Sequence, residues 1–170
     1  NSVFAISPDS AIAVGDDGAG YRTIDGGNNW VALDMPGVTY DLRSVLFTSN
    51  KIGYIRAEGF GVYKTVDGGD TWTLTLSMPG NAAMSFISDS IGMVCGNTVY
   101  ATVDGGDSWV QKNFGLFNSS YTLIALASDQ IAYVGVGSSS GSNFYVTDDF
   151  GNTWNPTGAN VNAIKLQFTD

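Results

Sequence analysis

Thr65-Val-Asp67-Gly-Gly69-Asp-Thr-Trp72 is one of four copies of a single short box. The others are Thr23-Ile-Asp25-Gly-Gly27-Asn-Asn-Trp30, Thr102-Val-Asp104-Gly-Gly106-Asp-Ser-Trp109 and Thr147-Asp-Asp149-Phe-Gly151-Asn-Thr-Trp154. All 4 tryptophans of the chain stand in these boxes, at spacings of 42, 37 and 45 residues, so coincidence is not a serious reading. A repeat of roughly 40 residues built from short strands points to a solenoid or a propeller.

A quieter repeat runs in step with the first. Ile6-Ser-Pro-Asp9-Ser-Ala11, Phe47-Thr-Ser-Asn50-Lys-Ile52, Ile87-Ser-Asp89-Ser-Ile91 and Ala127-Ser-Asp129-Gln-Ile131 read as equivalent turns between apolar segments. Ser, Asp and Asn suit such turns because their side chains bond the local backbone. A fifth copy begins at Ala163 and ends the chain at Asp170; with Asp9, Asn50, Asp89, Asp129 and Asp170 as markers the steps are 41, 39, 40 and 41.

Each repeat holds four short strand candidates, in the first Val3–Ile6, Ala11–Gly15, Gly20–Ile24 and Trp30–Leu33, with the box between the third and fourth. Four antiparallel strands in about 40 residues make a propeller blade; stacked β-solenoids use shorter repeats. The expected fold is therefore all-β, a β-propeller of four-stranded antiparallel blades at 1–36, 37–79, 80–118 and 119–158. Residues 159–170 then start a further blade, with Val161–Phe168 as a surplus strand. An unpaired strand edge invites association, so the chain is expected to be part of a larger propeller whose last strand pairs with missing blades or another subunit. Gly-Ser-Ser-Ser-Gly-Ser at 137–142 reads as a flexible hairpin loop.

Bulk composition narrows the function. The chain carries 16 acidic residues against 7 basic ones, a net charge of −9. That balance repels nucleic acid, whose binders need a basic footprint, and anionic lipid. No run of about 18 apolar residues occurs, so membrane insertion is not expected. Without histidine, imidazole acid–base and metal chemistry are excluded on this chain. Cys95, in the apolar run Ile91–Gly96, reads as a small core hydrophobe. The chain opens Asn1-Ser-Val-Phe, with no initiator Met and no basic region before an apolar stretch; a removed leader or an internal piece is expected.

Within the box, the glycines at 27, 69, 106 and 151 are suited to positive φ in a hairpin turn. The carboxylates of Asp25, Asp67, Asp104 and Asp149 are suited to accept turn N–H groups. The tryptophans bury a large apolar face, and Tyr21, Tyr63, Tyr100 and Tyr145 stand two residues before each box. The pattern Ser/Thr-x-Asp-x-Gly-x-Thr/Ser/Asn-Trp resembles the Asp-box, or bacterial neuraminidase repeat, over all four units. It is similar to sialidase-like propeller repeats and to those of the photosystem II assembly factor type. Tyr63–Trp72 and the phrases Ile52-Gly-Tyr-Ile and Ile91-Gly-Met-Val carry the latter likeness. The resemblance implies boxes at the blade periphery, away from the binding face. Thr23, Asp25, Gly27, Trp30, Thr65, Asp67, Gly69, Trp72, Thr102, Asp104, Gly106, Trp109, Thr147, Asp149, Gly151 and Trp154 are then structural. Calcium at Asp16 and Asp17, or at Asp148 and Asp149, lacks a ligand-rich loop; no metal or cofactor is expected.

The resemblance also brings in glycoside hydrolysis. Sialidase-like chemistry needs three arginines about the substrate carboxylate and a Tyr activated by a Glu; Arg22, Arg43, Arg56 and the lone glutamate Glu58 do not assemble that constellation in sequence. Paired-carboxylate hydrolysis needs an acid with a raised pKa, and Asp41, free of box and turn, is the best candidate. Loops entering each first strand line one propeller face, at 36–41, 79–82, 114–121 and 158–162. The candidate binding face is Asp41 with Phe114, Phe117 and Tyr121, an aromatic set suited to sugar stacking or protein contact. The expected function is a non-catalytic scaffold or binding module for protein or glycan, within an exported, cell-surface or virion assembly. A fragment of an Asp-box glycoside hydrolase, of sialidase or endoglucanase type, is the alternative.

Overall fold

A computed structural model of the chain describes residues 1–35, 37–112, 122–138 and 141–161. The chain divides into two compact units, one of Asn1–Pro79 and one from Gly80 onward, each holding two four-stranded antiparallel sheets. The first unit contains β1 (Ser2–Ala5), β2 (Ala11–Val14), β3 (Gly20–Thr23) and β4 (Val31–Ala32), then β5 (Leu42–Phe47), β6 (Gly53–Ala57), β7 (Gly61–Thr65) and β8 (Thr73–Ser77). The second contains β9 (Ala83–Phe86), β10 (Gly92–Cys95), β11 (Val99–Thr102) and β12 (Val110–Lys112), then β13 (Thr122–Leu126), β14 (Ala132–Ser138), β15 (Gly141–Thr147) and β16 (Asn155–Val161). Every sheet is a simple meander in which sequence neighbours pair. The strands are short and rich in β-branched and aromatic residues, which fit a pleated, half-buried surface.

One register recurs. The residue opposite each box threonine is small: Ala11 faces Thr23, Gly53 faces Thr65, Gly92 faces Thr102 and Ala132 faces Thr147. On the other side of β6 and β10, Phe47 pairs with Gly53 and Phe86 with Gly92. Each ring lies flat over its glycine: a Cβ on Gly53 would be 2.6 Å from the Phe47 ring, and one on Gly92 would be 2.2 Å from Phe86. The box tryptophans complete the stack edge-on, Trp72 at 6.1 Å and 84° to Phe47 and Trp109 at 6.1 Å and 87° to Phe86, a favoured aromatic geometry. In the other two sheets Ala5–Ala11 and Leu126–Ala132 fill the equivalent pairs.

The turns joining first and second strands share a serine. The Oγ of Ser7, Ser49, Ser88 and Ser128 accepts the N–H of Ser10, Ile52, Ile91 and Ile131 at 3.0–3.1 Å. The register differs from the marker set Asp9, Asn50, Asp89 and Asp129 at one position. The backbone carbonyls of Asp9, Lys51, Ser90 and Gln130 accept the matching box N–H groups, so Pro8, not Asp9, corresponds to Asn50. The serine is what the four turns hold in common.

Inside each unit the two sheets share a core. In the first, Ile12 and Val14 of β2 pack with Leu42, Val45 and Phe47 of β5, Ile55 and Ala57 of β6, and Trp72. In the second, Met93 and Cys95 of β10 and Val99 and Ala101 of β11 pack with Ile124 and Leu126 of β13 and Ala132 and Val134 of β14. An equivalent hydrogen bond crosses between the sheets of each unit: Val45 N–H to Ser2 Oγ at 3.3 Å, and Leu126 N–H to Ser85 Oγ at 3.1 Å. Cys95 is buried, and burial pushes its thiol well above the usual range. Among the described residues no helix is long and apolar enough to cross a membrane.

Two expected loops differ. Gly137 and Ser138 pair with Ser142 and Gly141, so β14 and β15 extend into the stretch read as a flexible loop, of which residues 139 and 140 lie outside the described residues. β16 continues through Val161, which pairs with Ser142, so residues 159–161 belong to the fourth sheet; the remainder of the expected surplus strand lies outside the described residues.

Gly53→Ala forces Phe47 off its seat. The expected loss is about 1–3 kcal/mol, the usual cost of overpacking, read as a lower denaturation midpoint at unchanged m-value.

Candidate functional site

The four boxes adopt one hydrogen-bonded geometry around a buried threonine hydroxyl. Thr23, Thr65, Thr102 and Thr147 are at most 3 % exposed. Each Oγ1 donates to the box Asp Oδ1 at 2.7–2.9 Å. It accepts the N–H of Gly27, Gly69, Gly106 and Gly151 at 2.7–2.9 Å, and that of its own Asp at 3.3–3.4 Å. The Asp Oδ1 also accepts the N–H of Asn29, Thr71, Ser108 or Thr153 at 2.8–2.9 Å. Oδ2 takes the side-chain donor of the same residue at 2.6–2.7 Å.

This web lowers the carboxyl pKa values. Burial alone would raise Asp67, but the hydroxyl and N–H of Thr71 and the hydroxyl of Thr65 outweigh it and hold the group at about 2. The N–H and hydroxyl of Thr153, with the hydroxyl of Thr147, hold Asp149 at about 2. Ser108 and Thr102 hold Asp104 down, and Asn29 and Thr23 do so for Asp25. The box acids are thus committed as ionised turn acceptors.

The tryptophans are not equivalent. Trp72 and Trp154 donate Nε1–H to Gly69 O and Gly151 O at 3.2 Å, and these boxes sit on the sheet before them. Gly69 has φ +95 and a Cβ there would be 2.5 Å from Ile12 Cδ1; at Gly151 it would be 3.1 Å from Met93 Cε. Trp72 is 9 % exposed, but Trp30 is 43 % exposed, because the first box has no earlier sheet against it among the described residues. Tyr21, expected in the same layer, is likewise exposed, while Tyr63, Tyr100 and Tyr145 are half-buried.

Asp41 lies in a charged cluster at the start of β5. Its Oδ2 accepts Arg43 Nη2 at 2.6 Å and its Oδ1 accepts Asp17 N–H at 3.0 Å. Arg43 Nε donates to Glu58 Oε2 at 2.5 Å, and Nη1 reaches Asp16 Oδ1 at 3.0 Å. Glu58 N–H donates to the Asp41 carbonyl at 2.8 Å. The β2–β3 turn and the 37–41 loop come close enough that a Cβ on Gly18, φ +75, would stand 2.2 Å from Val38 O. Glu58, ahead of Asp41 and Asp16, raises the Arg43 pKa. Beside the cluster, Tyr40 stacks on Phe60 at 4.6 Å and 19°, and Phe60 on Tyr63 at 6.2 Å.

Asp16, weighed for calcium, is therefore paired with Arg43, and Asp149 with its own box. Arg22 pairs with Asp70 and Arg43 with Glu58, Asp41 and Asp16; burial lowers the pKa of Arg56, which also feels the charges of Glu58 and Arg43. Phe114, Phe117 and Tyr121 lie outside the described residues. Tyr40 and Phe60 were not singled out by sequence; the only signal was aromatic residues flanking Asp41 and Glu58.

No family model matches the chain and no curated protein does. Solved structures do. YCF48 with a bound D1 peptide superposes with a TM-score of 0.68 at 22% identity, over 91% of this chain and 53% of that one. YCF48 from Cyanidioschyzon merolae gives 0.63 at 22%, over 95% and 61%. The GH74 enzyme of Niastella koreensis gives 0.68 at 21%, over 89% and 28%. The fold is that of β-propeller blades. The chain spans about half the length of the first and under a third of the enzyme.

Trp72→Ala should cost about 3–5 kcal/mol as a buried aromatic, and Trp30→Ala less than about 1.5 kcal/mol as a largely solvated one; urea titration of the two variants separates them. A folded-state pKa lowered from 3.8 to about 2 stabilises above the unfolded value. That contribution is lost as pH falls from about 4 towards 2. The melting temperature should drop across that window, and Asp67→Asn should lower it at neutral pH and flatten the drop.

Proposed function

We propose that the chain is a non-catalytic, Asp-box propeller segment that binds a polypeptide partner at the end of its first two blades. The cluster of Asp41, Arg43, Glu58 and Asp16 beside the Tyr40–Phe60 stack forms the contact surface. One observation carries this reading: Arg43 engages all three carboxylates of the cluster. A glycosidase general acid needs a raised pKa and freedom to reach substrate. Among the described residues the acids whose pKa departs clearly from the ordinary value, Asp25, Asp67, Asp104 and Asp149, are all shifted down. An ordered charged cluster next to an exposed aromatic suits recognition, with the ring supplying contact area and the charges supplying register.

The likeness in fold to YCF48 with its D1 peptide supports a protein partner, and abundant Ser, Thr, Asn and Gly with few lysines supports an exported, cell-surface or virion setting. The fold is equally that of a GH74 enzyme, which keeps hydrolysis as the second reading.

A panel of aryl-glycosides and sialosides decides. No turnover above buffer is expected; turnover abolished by Asp41→Ala or Glu58→Ala would overturn the binding reading.

A further inference from the structure

The second and fourth boxes are each held by a cation from the sheet before. Arg22 of β3 pairs with Asp70, and Lys112 of β12 donates to Asn152 Oδ1 at 2.9 Å; Asp70 and Asn152 occupy the same box position. Beside each grip, the outer strands and the following box enclose a groove.

In the second unit the groove is small, about 100 Å³, lined by Val103, Val110, Lys112 and Phe150. The Phe150 ring narrows it as part of its wall, 5.5 Å from Lys112 Nζ. Phe150 does so from φ 54, a left-handed conformation that side chains other than glycine resist. In the first unit the matching residue is Gly68, and the groove opens to about 300 Å³, with Leu33, Ile24 and Val31 as its apolar lining and Arg22 and Asp70 at one end. Ile24 and Val31 are 68 % and 69 % exposed. Nor could its own box fill the space, since a Cβ on Gly68 would stand 2.9 Å from Asn50 O.

We propose that this groove docks an aromatic side chain of a partner polypeptide, carried beside a basic residue. The ring takes the place that Phe150 takes in the second unit. The basic neighbour follows from charge: three carboxylates, Asp25, Asp34 and Asp70, stand around the groove against the one guanidinium of Arg22, on a chain of net charge −9. The proposal rests on the reading of the chain as a protein-binding module but not on the Asp41 cluster, which is a separate surface.

The probes are the blocked tripeptides Lys-Phe-Lys, Lys-Ala-Lys and Glu-Phe-Glu, titrated into the labelled chain and followed by amide chemical shifts. Lys-Phe-Lys should give saturable shifts at Ile24, Val31, Leu33 and Gly69. The other two peptides should bind about tenfold more weakly, the scale of one lost aromatic or charge contact. Val31→Lys and, independently, Ile24→Lys should weaken Lys-Phe-Lys by about tenfold, and Val66→Lys, exposed and not part of the groove's lining, should not. No saturable shift at these amides, equal affinity for the alanine peptide, or indifference to both substitutions overturns the proposal. Shifts confined to Tyr40, Arg43 and Glu58 overturn it while sustaining the binding reading. Shifts at the groove on concentrating the protein alone assign the occupant to a second copy and overturn a foreign partner. Glycoside turnover with the groove shifts intact would remove the scaffold reading and leave the groove.

Discussion

The buried threonine hydroxyl of each box is the constraint from which the rest of the blade follows. A hydroxyl shut away from water must be hydrogen-bonded or it costs stability. Each one here donates to the box carboxylate and accepts the glycine N–H. The carboxylate is thereby fixed, and it in turn fixes the residue before the tryptophan through both backbone and side chain. A turn defined at both ends sets the register of third strand on fourth, and a one-residue slip would turn every core side chain to the wrong face. Four sheets repeat the arrangement with distances agreeing within about 0.2 Å, although their strands differ freely in sequence.

From that fixed point the core is built by shape. The tryptophan is delivered edge-on to a phenylalanine that needs a glycine beneath it. Where a sheet has alanine in the glycine's place, a smaller or aliphatic partner faces it: Ala5 over Ala11 and Leu126 over Ala132. Leu with Ala matches the volume of Phe with Gly, as close-packed interiors demand, while Ala5 with Ala11 is a smaller pair. The following box then lies on the second strand of the sheet before, on Ile12 or on Met93. Trp30 has no such neighbour among the described residues: its local turn is intact, with Thr23 buried, and its ring is exposed.

The architecture was legible because it is periodic. Thr, Asp, Gly and Trp in register announce a turn, and a period near 40 announces a blade. The serine turn was legible too, but its alignment was displaced by one residue in the first repeat, since Asp9 matches Asp89 in chemistry better than Pro8, the true counterpart of Asp89, does. Gly53 and Gly92 carried a likeness in sequence without a reason; the reason is a ring on the partner strand, which no local pattern reveals. The Asp41 cluster was half visible. Asp41 stood out by being free of repeats, whereas Asp16 and Glu58 come from two other turns, with Arg43 on β5, and only the fold brings them together.

Conservation of the box also explains where variation is informative. The boxes agree wherever the turn depends on a residue and diverge where the side chain points outward. Phe150 is the exception, because it replaces a glycine at positive φ, where backbone strain argues against any side chain. At Phe150 the ring lies under Lys112, beside a groove of the second unit whose first-unit counterpart has Gly68 at the matching box position. The box acids are occupied by their turns and the Asp41 cluster by Arg43. What distinguishes one blade from another is therefore the shape and exposure of the apolar surface beside each box.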